Sequence, residues 1–534
     1  MTVPFLGARA SRASERDRFQ YTAEAGFKTE PKNRALSARV AGRGELCPSR
    51  VEDLPGLVKP RRGRLSYPMP SGYLRLDVPI AALATAPVPA ALAVVRTSGP
   101  GAPEFAAKAF SRPEALIRAE SHRIVHGFVR DPETGKDEDE VVALVFRAPS
   151  GYTGQDAVDF VCHGGPAAWE GVLAALEKAG FERALPGEFT FRAFAAGKMD
   201  LAAAEAVDEL VRARTGEARE GALDRLSGGL GREVSDLRDS ILDALAEAEA
   251  RLDYGEDELA DGPDDLLSAV RAALARAEAL AASHAVGRML SEGARIALAG
   301  PTNAGKSRLF NLFLKEERSI VSESHGTTRD YIEADLDLDG IPVALFDTAG
   351  LRDAPDPVEA EGVRRSRLVA EGADLVVFLV DGTRGAVPGD LEMLASLPGA
   401  VRVWNKMDLP EVLPVPEGWI PLSAATGEGF PALAATLGAR LRGTELAGRP
   451  SPIAARGTEL VGRHVPIASR RQADCARRAA RALTAARDAL AAGAHLDAAA
   501  VDLREAADAL AELTGQSVPE SVLETIFSRF CVGK

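Results

Sequence analysis

At 534 residues and 46% hydrophobic content, the chain is long enough for roughly two to four domains, each with its own core. Its net charge of −14 excludes a broad nucleic-acid-coating surface, while leaving room for a local basic patch or a basic partner. Four cysteines (Cys47, Cys162, Cys475, Cys531) stand far apart with no C-x-x-C pair, which fits a reducing compartment without structural zinc, and no apolar run reaches the length of a membrane span.

Residues 1–68 are rich in Arg, Ser, Gly and Pro and lack apolar periodicity. That is the composition of a disordered extension, or of a mis-assigned start with translation beginning at Met69. Glu15, Asp17, Glu24 and Glu30 argue against a mitochondrial transit segment. The expected location is cytoplasmic, and mitochondrial only if this stretch proves to be such a segment. Over 69–194 the short runs Ala91–Val95, Val141–Phe146 and Ala157–Val161 alternate with turns. A helix around Ala167–Ala179 interrupts them, giving an α+β domain. Over 195–290 the pattern is helical and rich in Ala, Leu, Arg and Glu, at Ala202–Arg214, Glu217–Leu226 and Val234–Leu252. Strands and helices alternate over 291–441, a doubly wound α/β pattern. In the linker 442–471, Arg442–Leu446 recurs as Arg456–Leu460, and each copy is followed by Pro-Ile-Ala. This short tandem duplication adds length at little cost. Helical pattern returns over 472–534, and the helices on either side of the α/β segment are expected to form one bundle with that segment inserted.

Chemistry concentrates in the α/β segment. Gly300-Pro-Thr-Asn-Ala-Gly-Lys-Ser307 follows the apolar run Arg295–Ala299 and has the G-x-x-x-x-G-K-S spacing of a phosphate-binding P-loop. Small residues let backbone N–H groups approach phosphates, Lys306 adds a point charge, and Ser307 offers a hydroxyl to Mg²⁺. The predicted phosphate contacts are Asn303, Ala304, Gly305, Lys306, Ser307 and Arg308, at the N-terminus of a helix. Gly326-Thr-Thr-Arg-Asp330 reads as a switch loop, with Thr327 near the nucleotide and Thr328 as a second hydroxyl on Mg²⁺. Asp347, Thr348, Ala349 and Gly350 follow an apolar strand, where Asp347 can hold Mg²⁺ through water and Gly350 lets backbone meet a γ-phosphate. Asn405, Lys406 and Asp408 form an N-K-x-D element, followed by Ser423, Ala424 and Ala425. Asp408 can accept from the N1–H and exocyclic amine of guanine, which adenine cannot supply. Four elements at strand ends in this order predict a hydrolysing guanine-nucleotide site.

The flanking segments narrow this. Tyr152–Asp156, Cys162–Pro166, Pro186–Thr190, Arg192–Phe194, Gly197–Leu201, Ala204–Val207 and the terminal Phe530–Lys534 together resemble the MnmE (TrmE) family of tRNA-modification GTPases, over nearly everything from Ala82 to Lys534. The resemblance implies an N-terminal folate-binding domain that dimerises, a discontinuous helical bundle, and an inserted Ras-like P-loop G domain. It implies a homodimer that joins an FAD-dependent, MnmG (GidA)-like partner in a heterotetramer. Together they would build a carboxymethylaminomethyl or aminomethyl group on C5 of a tRNA wobble uridine. The carbon would come from 5-formyl- or 5,10-methylene-tetrahydrofolate, and the tRNA would be bound directly or through the partner. Folate contacts carry over to Arg96, Asp159, Lys198 and Lys534, with Cys531 near the folate carbon or, on the plainer reading, a small residue at a helix end. Asp159 stands where the family usually has the longer Glu. Glu188 and Arg192 read equally well as an internal ion pair. The family's Gly/Arg-rich P-P-G-R-G-G stretch is here Ala86-Pro-Val-Pro-Ala-Ala91, without its arginine and glycines.

Leu351 after D-T-A-G cannot orient water, and the resemblance assigns that role to Glu359. It assigns charge neutralisation to K⁺ held by Asn303, by carbonyls around Ser322 and Ser324, and by Thr327, at a transient contact of two G domains. Two alternatives stay open: a ribosome-assembly-type GTPase, and a dimerising nucleotide switch that has lost folate binding.

Overall fold

The computed structural model describes residues 76–253, 263–316, 318–319, 332–347, 372–442, 465–492 and 496–534. The first sheet contains β1 (Ile80–Leu83), β2 (Leu92–Ser98), β3 (Arg123–Arg130), β4 (Asp137–Phe146), β5 (Ala157–His163) and β6 (Glu182–Arg183) in the order β3-β4-β5-β2-β1-β6. All neighbours are antiparallel except β1 and β6. Period-2 alternation sends Val125 and Val129 of β3, with Val141, Ala143 and Val145 of β4, to one face. There α1 (Ala102–Ala107), α2 (Pro113–Ile117) and α3 (Pro166–Ala179) cover them, with Leu116, Val172 and Leu176 in the shared core. The sequence reading missed β1, β3 and the first half of β4. The run Asp137-Glu-Asp-Glu140 has no apolar signal and becomes a strand because β3 pairs with it.

Next come α4 (Glu188–Ala195), α5 (Leu201–Arg212), α6 (Gly216–Leu226), α7 (Gly229–Asp253) and α8 (Pro263–Glu292). Asp200 and Thr215 cap α5 and α6 by accepting the N–H groups of Ala203 (2.7 Å) and Ala218 (3.2 Å). The α8 helix runs directly into a second sheet, and its last turn closes on Gly293.

That sheet holds β7 (Ala294–Ala299), β8 (Arg318–Ser319), β9 (Ile332–Leu338), β10 (Ile341–Asp347), β11 (Leu375–Asp381), β12 (Val401–Asn405) and β13 (Ile420–Pro421). The order is β13-β12-β11-β7-β10-β9-β8, parallel from β13 to β10, with β9 and β8 antiparallel. Helices α9 (Lys306–Glu316), α10 (Pro388–Ala395) and α11 (Phe430–Leu441) accompany it. Leu298 pairs with Asp347, Ala299 with Phe378, and Asp381 with Asn405. The carboxyl ends of four parallel strands are therefore level along one edge, where ligands bind in open α/β sheets.

The chain then returns as α12 (Arg470–Ala491), α13 (Leu496–Thr514) and α14 (Glu520–Phe527). Leu237 and Ile241 of α7, Leu274 and Leu280 of α8, Ala476 and Leu483 of α12, and Leu503 and Leu510 of α13 share one core. The expected discontinuous bundle is therefore present, with the P-loop α/β unit inserted between its halves. Many core positions are Ala, which lets helix axes approach closely. Among the described residues no helix is long and apolar enough to cross a membrane.

One polar cluster ties the two halves. Glu205 of α5 accepts from Arg471 Nη2 (2.9 Å) and Nε (3.1 Å), Gln472 Nε2 (2.6 Å) and Ser469 Oγ (3.3 Å). Arg471 also donates to the carbonyls of Glu512 (2.9 Å) and Leu513 (3.0 Å) at the end of α13. Burial lowers the Arg471 guanidinium most, but the charge and hydrogen bonding of Glu205, with Cys475 and Glu512, together hold it above its ordinary value. Glu205→Ala strands a mostly buried cation and is expected to destabilise the bundle by roughly 3 kcal/mol. Urea unfolding followed by helical circular dichroism measures this, and a loss below about 1 kcal/mol would show that the carboxylate does not hold the halves together.

Candidate functional site

The nucleotide site is built on the level edge of the second sheet. Gly300 has φ +132° and Gly305 φ +102°, and Asn303 between them is also left-handed at +63°. A side chain at Gly300 would strike the Leu379 carbonyl, and one at Gly305 would strike Asn405 Nδ2. Glycine is therefore required at both positions, and Asn is among the few other residues that tolerate this backbone. Lys306, buried at the start of α9, donates to the carbonyls of Gly300 (2.9 Å) and Pro301 (2.8 Å). This holds its charge inside the loop. Ser307 and Arg308 are exposed, Ala304 is buried, and Asp347 is buried at the end of β10.

The base-reading elements join the same loop. Asn405 Nδ2 donates to Ala304 O (2.7 Å), and Asn405 Oδ1 accepts the Ala424 N–H (2.9 Å). One fully buried amide thus bridges the P-loop to the Ser423-Ala424-Ala425 loop. The buried Ser423 Oγ donates to Asp408 Oδ1 (2.6 Å), orienting an exposed carboxylate. Lys406, left-handed at φ +69°, reaches Asp381 Oδ2 (2.6 Å). Burial alone would raise the Asp381 carboxyl, but Lys406 and the Thr383 hydroxyl and N–H outweigh it and hold it below its ordinary value. Sequence reasoning did not select Asp381. Its signal was Asp-Gly directly after an apolar strand, in line with Asn405.

Thr327, Thr328, Ser322, Ser324, Thr348, Ala349, Gly350 and Glu359 lie outside the described residues, as does the duplicated linker.

A second constellation forms where the C-terminus returns to the first sheet. Arg96 of β2 lies 3.6 Å from Asp159 of β5 and donates to Gly533 O (3.3 Å). The Tyr152 ring (4.9 Å) and the Phe189 ring (5.0 Å) both stand against its guanidinium. Burial raises the Asp159 carboxyl, while Arg96 and the Thr97 N–H offset part of that rise. Phe189 N–H donates to Lys534 O (3.1 Å) and Gly187 N–H to Cys531 O (3.4 Å), so the last four residues are stitched to the start of α4. Lys198 Nζ bonds the Pro149 carbonyl (2.8 Å), beside the loop that carries Tyr152. Arg96, Asp159 and the terminal segment therefore meet, although they are spread over most of the chain, while Lys198 is held on the 149–154 loop that carries Tyr152. Tyr152 and Phe189 were visible only as parts of the Y-T-G-Q-D and P-G-E-F-T runs. Arg192 and Glu188 form the internal pair (2.7 Å), fully buried, with Arg192 also bonding Gln155 Oε1 (2.9 Å) and Val78 O (2.9 Å). Both are structural, below the Arg96 cluster.

The family model of the MnmE helical domain matches residues 201–531, and that of the GTP-binding protein TrmE N-terminus matches residues 79–198. The chain is 39% identical over 491 residues to the tRNA modification GTPase MnmE of Treponema denticola, covering 87% of this chain and 100% of that protein. It is 42% identical over 464 residues to that of Thermus thermophilus, covering 86% of this chain and 100% of that protein. Among solved structures, Aquifex aeolicus Era bound to GDP and aluminium fluoride is 24% identical with TM-score 0.23, covering 35% of this chain and 66% of that chain.

Asn405→Ala leaves the Ala304 carbonyl and the Ala424 N–H without their partner, at about 1–3 kcal/mol each. Guanine-nucleotide affinity is expected to fall at least about 10-fold, measured by fluorescent-analogue titration, and unchanged affinity would remove the bridge from the account. Burial pushes the Cys162 and Cys475 thiols up to about 11, whereas Cys531 is exposed. Maleimide labelling of the folded protein, mapped by peptide mass, is therefore expected at Cys531 and not at the two buried thiols.

Proposed function

Because the chain belongs to the MnmE family of tRNA modification GTPases, we propose that it hydrolyses GTP in a potassium-dependent cycle that drives C5 modification of a tRNA wobble uridine. The observation that carries this is the Asn405 bridge, which locks a P-loop to a guanine-reading Asp408. Phosphoryl transfer needs positioning and charge neutralisation more than covalent chemistry. The left-handed loop from Gly300 to Gly305 turns its N–H groups toward a phosphate chain, and Lys306 supplies charge. Ser307 and Asp347 lie at adjacent strand and helix ends and fit a hydrated Mg²⁺, with Thr328 as the remaining hydroxyl. Bound Mg²⁺ would neutralise charge on the β- and γ-phosphate oxygens. Asn303, exposed and projecting from a left-handed turn, fits a K⁺ ligand, with Ser322, Ser324 and Thr327 completing that set and Glu359 orienting water.

The Arg96 cluster supports a tetrahydrofolate site. Asp159 would offer acceptor oxygens to a pterin N–H edge, and Arg96, Lys198 and the terminal Lys534 would offer charge to carbonyl or glutamate groups. Asp159 meets Arg96 despite being one methylene shorter than the family's usual Glu. The segment 85–91 is exposed and has no arginine, so a folate bound here would be held without a loop guanidinium. The sheet face opposite α1–α3 carries Ile124 at 70% exposure and Leu92 at 59%, with Val94, Val142, Leu144 and Val161 half-buried between them. This continuous apolar face supports a homodimer, to which an FAD-dependent MnmG-like protein would add.

Hydrolysis measured in KCl and in NaCl tests the reading. Activity is expected at least about 10-fold higher in K⁺, and Glu359→Ala is expected to lower kcat on the order of 100-fold. Equal rates in the two salts would overturn the potassium role. Asp408→Asn should exchange GTP for xanthosine triphosphate as substrate, and a variant still selective for GTP would overturn the base-reading assignment.

A further inference from the structure

The helical bundle is charged unevenly. The sequence of α13 carries Asp497, Asp502, Glu505, Asp508 and Glu512 against Arg504 alone. The sequence of α12 carries six arginines against two aspartates. Two of the six are consumed inside the fold, Arg471 by Glu205 and Arg478 by Glu512 (2.6 Å). Arg487 pairs with Asp488 (2.7 Å). The remaining three, Arg470, Arg477 and Arg481, are exposed and spaced i, i+7, i+11, on one face of the helix. Only Asp474 stands among them, paired to Arg477 (2.7 Å).

Their neighbour reinforces the charge. Ser283 Oγ of α8 accepts the Ile467 N–H (3.2 Å), and Gly287 packs against the Ile467 carbonyl, so α12 starts beside the last third of α8 and runs back along it. Seven residues before Ser283, on the same face of α8, comes half-buried Arg276. His284 of α8 is held below its ordinary value by burial and then by Arg477 and Arg288, against the opposing charges of Glu292 and Asp474. Arg288 is partly answered by Asp374 (2.5 Å). Exposed alanines (Ala272, Ala279, Ala485) leave the surface between the arginines flat.

We propose that this strip, Arg470, Arg477 and Arg481 of α12 with Arg276 of α8, is a phosphate-backbone contact for the tRNA. Eleven residues of helix span about 16 Å, which reaches across two or three consecutive phosphates of one strand. Guanidinium groups match phosphate oxygens bidentately. On a chain of net charge −14 such a strip stands out by sign, and the acidic α13 would repel RNA from the opposite side. The contact orients the RNA without reading its sequence. This inference rests on the tRNA-modification reading above and adds that the chain touches the RNA itself.

The test is tRNA-transcript binding by the full chain, followed by fluorescence anisotropy from 50 to 200 mM KCl. The Arg470→Gln/Arg477→Gln/Arg481→Gln variant is compared with the wild type and with an Arg504→Gln control, and GTP hydrolysis is measured on all three. The triple variant is expected to bind at least about 10-fold more weakly at low salt, with the log–log salt slope reduced by about two to three. GTP hydrolysis and the control should stay at wild-type values. Wild-type affinity and slope in the triple variant overturn the proposal, as does a wild-type chain that binds no tRNA while hydrolysing GTP and supporting modification with its partner. That last outcome leaves the functional reading standing, so the two fail separately. A triple variant that keeps tRNA binding but no longer associates with the flavoprotein partner assigns the strip to a protein surface, and also overturns it.

Discussion

The architecture depends on the Glu205 carboxylate. The chain leaves the bundle at Glu292, builds a complete α/β unit, and returns at Ser469. Nothing covalent near the bundle forces the two halves to meet, so their packing must be specified by contacts. Apolar packing of alanine-rich helices is permissive in register, because small side chains interlock weakly. Glu205, Arg471 and Gln472 remove that freedom. Arg471 satisfies the terminal carbonyls of Glu512 and Leu513 in α13 while Glu205 answers its charge from α5. Arg225 repeats the device, pairing Glu209 (2.6 Å) and donating to the Pro466 carbonyl (2.9 Å) at the re-entry point. Each join works as a pair, since removing one partner leaves the other buried and unanswered.

The nucleotide unit is attached differently. Arg214 meets Asp335 of β9 (2.5 Å), Arg288 meets Asp374, and the turn at Gly340 packs against Glu217 of α6. Arg214 is half-exposed, and pairs of this kind contribute less than about 1 kcal/mol each. The bundle is therefore held by buried pairs, and the inserted unit by surface pairs together with Leu290, Val286 and Met289 of α8, which pack into its core. β9 and β10 are also the strands between the Thr327–Thr328 loop and Asp347.

The P-loop, N-K-x-D and the strands before them were legible because each combines an apolar run with residues that only a special backbone tolerates. Gly300, Gly305 and Asn303 are written in the sequence for the same reason they are left-handed in the structure. The bundle helices were legible from their 3.6-residue period. The Arg96 cluster was not legible from spacing, because Arg96, Asp159 and Gly533 approach one another only after the terminal segment docks on α4. Resemblance named its charged members. The rings of Tyr152 and Phe189, which fix the guanidinium, were recognisable only by contact. β3 and the acidic half of β4 were missed for a related reason, since partner pairing outweighed their local composition.

Net charge shows the same limit. A sum of −14 rightly excludes a basic coat, yet it says nothing about which arginines are neutralised. On α12 that question is decided by helix phase. Arg471 and Arg478 point toward α5 and α13 and find carboxylates, while Arg470, Arg477 and Arg481 fall on the open side, where among the described residues Asp474 pairs with Arg477. Six similar residues in one helix thus divide into structural cations and a surface charge, and only the packing of α13 and α8 on either side separates them.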